Sequence, residues 1–326
     1  GGAGAARLSH PGRTPWYYAG VLPIWLDCDP GHDDAIAIFL AAQRSELVGI
    51  SVVSGNAPLA LTQRNGLVAC QVADVRAPLH VGAAKPLVRA AEHAEYIHGK
   101  SGLDGPELPA LTRGAAELPA VTAILQAAEA RDDLWLVAVG PLTNVALALL
   151  LEPGLAQRLA GISVMGGAYG PGNVTAAAEF NIWADPEAAQ LVFESGANIV
   201  LAGLDLTHQF MMERKRIAQI RALGTRTATF TADLLEHFVA AYAASYGAPL
   251  GPLHDPCSVL AVTDPHLFES ERRHVVVECE GTVTRGMTVV DRRTGKRTAA
   301  PNATVLTKLD DAGAFQVLMD ALGASR

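Results

Sequence analysis

Short apolar runs recur through the first two thirds of the chain, and each runs out into a polar or glycine-rich cluster. Residues 22–26, 47–53, 79–81, 134–139, 162–165 and 198–201 are short and rich in branched side chains, which predicts buried strands. Between them, residues 35–40, 59–73, 118–130, 145–151 and 186–195 carry the apolar spacing of helices packed on a sheet, with Asp185 as N-cap of the last. Residues 82–109 and 168–184 read as loops; a loop of such length inside a compact domain is usually functional, often a lid. Strands alternating with helices, each strand ending in polar residues, predict an α/β fold: an open, mostly parallel sheet flanked by helices, with its ligand site along the carboxyl edge. Beyond Glu213 the pattern changes to long helices over 214–223 and 226–246. Period-two alternation follows over 273–305, then a last helix over 312–322. With no linker and no internal repeat, residues 21–326 read as one domain with a helical and small β C-terminal extension. Residues 1–20, rich in Gly, Ala and Arg and without an apolar segment, read as a disordered leader.

Composition narrows the class. Half of the 326 residues are hydrophobic and 18% are charged, enough apolar material for a sizeable core. A net charge of −8 argues against nucleic acid or an anionic membrane as partner. The longest apolar stretch, residues 137–151, is interrupted by Gly140, Pro141, Thr143 and Asn144, so it does not read as a membrane span. Cys28, Cys70, Cys257 and Cys279 have no paired spacing, which fits reduced thiols in a cytoplasmic protein.

The chemistry concentrates in Asp27-Cys28-Asp29-Pro30-Gly31-His32-Asp33-Asp34, between the first strand and the first helix. Four carboxylates at the end of a buried strand repel one another unless a cation sits among them, and a hard divalent ion is the usual solution. Asp33 and Asp34 could instead serve as first-turn acids of the helix. That reading leaves Asp27 and Asp29 unexplained. Late in the chain, His254-Asp255-Pro256 sets a second acid beside a histidine; Asp255 is either a distant ligand for the same cation or only a helix cap before proline. Asn173, Glu179 and Asn181 supply three hydrogen-bonding side chains within nine residues, suited to a polyhydroxyl ligand or to an ordinary polar loop. Tyr242 and Tyr246 lie one turn apart on one helix face.

Taken together, these residues resemble the inosine–uridine-preferring nucleoside hydrolase family. The resemblance begins at Asp27–Ala35 and continues through Ser54-Gly55-Asn56, Ile97-His98-Gly99, residues 139–144, Met165-Gly166-Gly167, Gly172-Asn173, residues 178–181 and Leu204-Asp205-Leu206-Thr207-His208. It ends at His254-Asp255-Pro256. The resemblance implies a Rossmann-like fold and a Ca²⁺ ion held by Asp29, Asp34, the carbonyl of Val139 and Asp255, with a water and two ribose hydroxyls completing the set. It makes Asp29 the general base on that water and His254 the acid toward the departing base. Asp33, Asn56, Met165, Asn173, Glu179, Asn181 and Asp255 would line the ribose, with His98 on a mobile loop nearby. Tyr242 and Tyr246 would lie beside the nucleobase; Trp183 and Phe210 are further candidates for that end. The implied activity is hydrolysis of the N-glycosidic bond of ribonucleosides by a homo-oligomer, a dimer or tetramer.

Two other functions compete. A haloacid-dehalogenase-type phosphatase also opens with Asp-x-Asp after a strand, but needs a downstream lysine, and Lys85, Lys100 and Lys215 lack that context. A Ca²⁺-dependent ribonucleoside-binding protein without turnover would need neither the base Asp29 nor the acid His254.

Overall fold

Parallel strands buried on both faces read as continuous apolar runs, and the six runs of the N-terminal two thirds become six such strands. They are β1 (Pro23–Cys28), β2 (Glu46–Val52), β3 (Leu79–Val81), β4 (Trp135–Ala138), β5 (Gly161–Met165) and β6 (Ile199–Ala202). This computed structural model describes residues 21–247, 250–294 and 298–324, and only the backbone of Glu95, Tyr96 and Tyr246. The expected leader, residues 1–20, lies outside the described residues. The six strands are parallel and lie in the order 3-2-1-4-5-6, the doubly wound arrangement. The order reverses between β1 and β4, where Asp27 stands beside Ala138. Ligands of such sheets bind in the crevice outside the strand ends at that reversal.

The chain then adds β7 (Met211–Met212) paired with β8 (Gly251–Pro252), a small antiparallel ribbon that the sequence pattern did not predict. Next come β9 (Phe268–Val277), β10 (Thr288–Asp291) and β11 (Ala303–Leu309), which extend the main sheet to nine strands. Of these, β11 runs parallel to β6, whereas β9 and β10 are antiparallel. Alternation along β1 sorts its side chains: Ile24, Leu26 and Cys28 join the hydrophobic cluster on one face, and Trp25 joins the cluster on the other.

Three expectations shift. The loop read over 82–109 contains a helical turn, Glu95–His98. The loop read over 168–184 ends in the helix Phe180–Ala184, because the Glu179 carboxylate caps it by accepting from the Asn181 and Ile182 N–H groups. The C-terminal β region starts earlier than read, at Phe268. Asp185 does cap the helix Pro186–Glu194, accepting from the N–H of Ala188.

Candidate active site

Asp29 follows the last residue of β1, and the turn through Pro30 and Gly31 carries the chain directly into the helix His32–Arg44. The Asn56 N–H donates to Asp29 Oδ2 at 2.6 Å, and the Asn56 side-chain amide donates to the Asp29 carbonyl and to Asp34 Oδ2. Asp34 turns back on the turn that precedes it, accepting from the N–H groups of Asp29 at 3.0 Å and Gly31 at 2.8 Å. Close approach sets two residue types here: a Cβ on Gly55 would lie 2.0 Å from Asp29 Oδ2, and one on Gly140 would lie 2.5 Å from Oδ1. Only glycine fits on either side of this carboxylate. Asp29 Oδ1 is buried and has no hydrogen-bond partner.

The helices His32–Arg44 and Asp255–Thr263 bring their N-termini together, and carboxylate oxygens of Asp33, Asp34 and Asp255 lie within 4.8 Å of one another. The backbone amides of His254 and Asp255 hydrogen-bond the Asp33 carboxyl. No ion pair among the described residues involves these acids. Burial, and then the charges of its acidic neighbours, push Asp29 and Asp255 well above the usual carboxylate range. Asp33 is pushed up to about 7 by the same causes in the same order. Asp34 is raised by burial against the N–H groups that bond it. The nest resists full ionisation unless a cation enters it.

Across the crevice, the Asn181 amide donates to the carbonyls of Val139 at 2.8 Å and Met165 at 3.2 Å. Glu179 accepts from the N–H groups of Gly167, Asn181 and Ile182, yet burial still raises it to about 7. Asn173 accepts from the Phe180 N–H through its side-chain oxygen at 2.9 Å. One pocket enclosing about 550 Å³, mouth included, gathers Asp33, Asn56, His98, Val139, Met165, Asn173, Glu179, Asn181, Tyr242, His254 and Asp255. Asp29 and Asp34 do not line it, but both are hydrogen-bonded to Asn56, which does.

At the other end, His98 packs on Phe238 with ring centroids 6.1 Å apart, and Phe238 on Tyr242 at 6.0 Å. His98 Nδ1 is 3.0 Å from His32 Nδ1, and the far nitrogen of His32 meets the Asp104 carbonyl at 2.8 Å. His254 Nδ1 meets the Thr207 hydroxyl at 2.7 Å, and its ring tilts against His208. Burial holds both pocket histidines low: His98 well below its ordinary value, with His32 the next cause, and His254 at about 3, with His208 the next cause. They stand as neutral imidazoles.

Tyr242 lines the pocket; the side chain of Tyr246 lies outside the described residues. Trp183 and Phe210 do not line it. Trp183 packs on Phe180, and Phe210 is fully buried in the core. The pocket instead takes in Phe180 and Phe238, which the sequence reading missed. Phe238, four residues before Tyr242, was open to discovery by the same helical spacing that picked out the tyrosine.

A doubly wound sheet with a carboxylate nest at its order reversal, facing a polar wall and an aromatic end, is the frame of a hydrolase acting on a small polyhydroxyl substrate. The sequence profile of the inosine-uridine preferring nucleoside hydrolases matches residues 24–316, and the chain belongs to that family. The pyrimidine-specific ribonucleoside hydrolase RihA of Escherichia coli (strain K12) is 44% identical over 308 residues, which cover 92% of this chain and 98% of that protein. Among solved structures, the purine-preferring ribonucleoside hydrolase from Gardnerella vaginalis is 31% identical with a TM-score of 0.86, over 92% of this chain and 98% of that one. A plant nucleoside hydrolase, the PpNRh1 enzyme, is 28% identical with a TM-score of 0.85, over 94% of this chain and 100% of that one. Belonging to this family sets the phosphatase reading aside.

Proposed function

We propose that this protein hydrolyses the N-glycosidic bond of ribonucleosides to free base and ribose, with Asp29 as general base and His254 assisting the leaving base. The observation that carries the reading is the bare oxygen of Asp29, neighbour to Asp33 and Asp34, behind a pocket that Asp33 and Asp255 line and that has an aromatic end. Crowded carboxylates with an orphaned oxygen and no paired cation fit a hard divalent ion held by oxygen donors. Asp29, Asp34, Asp255 and the Val139 carbonyl would hold it. When bound, a Ca²⁺ ion would supply a grip on two neighbouring sugar hydroxyls and would acidify a water. Asp33, whose carboxyl also belongs to the cluster, would serve the sugar, as the family resemblance implies.

The departure of the base leaves positive charge on the sugar, so the site must favour that charge over the neutral substrate. Buried acids on the ribose side do so. Asp29 Oδ1 accepts the proton of the attacking water, a step worth about 10²–10⁴-fold. Neutral His254 acts on the leaving base by donating a hydrogen bond that offsets the negative charge departing with it. Asn181 and Glu179 are themselves fixed by backbone partners, so they present a rigid wall to the sugar hydroxyls. A wall that pairs with a hydroxyl can reject the analogue lacking it by about 10⁴-fold, so ribose is favoured over 2′-deoxyribose.

Since the pyrimidine-specific relative is 44% identical and the purine-preferring one 31%, we place pyrimidine ribonucleosides ahead of inosine. The four cysteines are unpaired and three of them are buried, which supports a reducing compartment such as the cytoplasm. A homo-oligomer remains part of this reading on family resemblance. One assay tests the whole: uridine, cytidine, inosine, 2′-deoxyuridine and p-nitrophenyl phosphate, each with Ca²⁺ or with chelator, followed by free ribose and phosphate. Ribose release that is lost with chelator is expected. Substrate binding without ribose release would make the protein a nucleoside binder instead.

A further inference from the structure

The Thr207 hydroxyl lies at the end of the helical turn Leu204–Thr207 and is wholly buried. Among the described residues its one hydrogen-bond partner is His254 Nδ1, at 2.7 Å. A neutral imidazole has one protonated and one bare nitrogen, and the partner of one decides the state of the other. Two arrangements satisfy this contact. In the first, Nδ1–H donates to the hydroxyl oxygen, and the hydroxyl proton is left buried with nothing to accept it. In the second, the hydroxyl donates to a bare Nδ1, and every proton at the contact is used. An unmet buried donor is costly, so the second arrangement holds. His254 then carries its proton on Nε2, away from Thr207. Because Thr207 is β-branched and packed, its side-chain rotation is restricted and the hydroxyl cannot readily turn elsewhere.

We propose that Thr207 is a positioning residue that fixes His254 as the Nε2–H tautomer and so keeps it a hydrogen-bond donor toward the departing nucleobase. The inference rests on His254 assisting the leaving base. During departure the Nε2–H group hydrogen-bonds the base, which leaves with the electron pair of the cleaved glycosidic bond, and the proton stays on Nε2. His254 stays neutral throughout, and solvent protonates the base after release.

The test pairs Thr207→Val, which keeps shape and removes the hydroxyl, with Thr207→Ser, which keeps the hydroxyl. Thr207→Ala serves as a second hydroxyl-free variant should valine prevent folding. With uridine, the hydroxyl-free variants are expected to lose about 10- to 100-fold in kcat while KM stays within about twofold. With p-nitrophenyl riboside, whose leaving group departs without a proton, they should match the parent, and serine should restore uridine turnover. Two-bond ¹H–¹⁵N correlation spectra of ¹⁵N-histidine-labelled protein read the tautomer directly: Nε2–H for His254 in the parent and the serine variant, and a shift toward Nδ1–H without the hydroxyl. An unchanged tautomer and unchanged uridine kcat in the valine variant would overturn the proposal, as would equal losses on both substrates. A tautomer that moves with no change in uridine kcat would instead overturn the role of His254 toward the leaving base. His254→Ala checks that role independently, by a loss confined to uridine.

Discussion

On the outer flank, Arg285 meets both carboxylate oxygens of Glu187, at 2.8 and 2.9 Å, and also donates to the Cys279 carbonyl. Arg216 likewise grips Asp311 and the Met211 carbonyl. At the carboxyl edge of the sheet, Asp29, Asp33, Asp34 and Asp255 are more deeply buried than any of these acids, and no arginine or lysine among the described residues is paired with them. The same residue type does opposite work in the two places. Paired charges tie β7, the helices and the β9–β10 flank together. Unpaired ones resist ionisation, so they hold protons or, on the reading proposed above, a bound cation.

The comparison can be broken most directly at Asp29. Asp29→Ala should cost uridine turnover at least the roughly 10²–10⁴-fold of a general base, with an unchanged circular dichroism spectrum. Near-normal ribose release from a folded variant would remove Asp29 from the mechanism. Next comes His254→Ala, expected to lose about 10²-fold or more on uridine and little on p-nitrophenyl riboside. Equal losses would make the histidine structural.

A third test sharpens the electrostatic side. Asp33 is held up to about 7, and Asp29, Asp34 and Asp255 are also raised. In the unfolded chain such groups titrate near pH 4. The metal-free fold therefore keeps protons that the unfolded chain has released, and the contribution of these acids to stability falls as pH rises above about 4, for Asp33 through about 7. A cation displaces those protons, so the Tm gap between Ca²⁺-loaded and chelated protein should widen as pH rises from about 4 through about 7. The neutral histidines are common to both forms and largely cancel in the gap. A gap that is flat or narrows with pH would mean the acids are not a cation site. The smallest effect is expected on the flank: Arg285→Ala should cost about 1–2 kcal/mol in denaturant unfolding and leave kcat unchanged.

Much of this was legible in one dimension because it is local. Strand and helix alternation, the parallel sheet and the cap at Asp185 follow from periodicity and side-chain chemistry within a few residues. The motif from Asp27 to Asp34 announced a site because four acids in eight positions have no cheap structural explanation. The loops were read less well. Residues 168–184 looked irregular, and the helix at Phe180 became evident only once Glu179 was seen to cap it.

Sequence by itself determined the strands, the acids and the residue types of the site, since each depends on neighbours along the chain. Tertiary structure alone decided that Asp255 meets Asp33 and Asp34 across more than two hundred residues, that Gly55 and Gly140 clasp one carboxylate, and that Phe210 belongs to the core and not to the pocket. It also decided that Thr207 faces His254. The reason is physical: burial, the proximity of like charges and the choice of a hydroxyl's partner are properties of space, and spacing along a chain does not carry them.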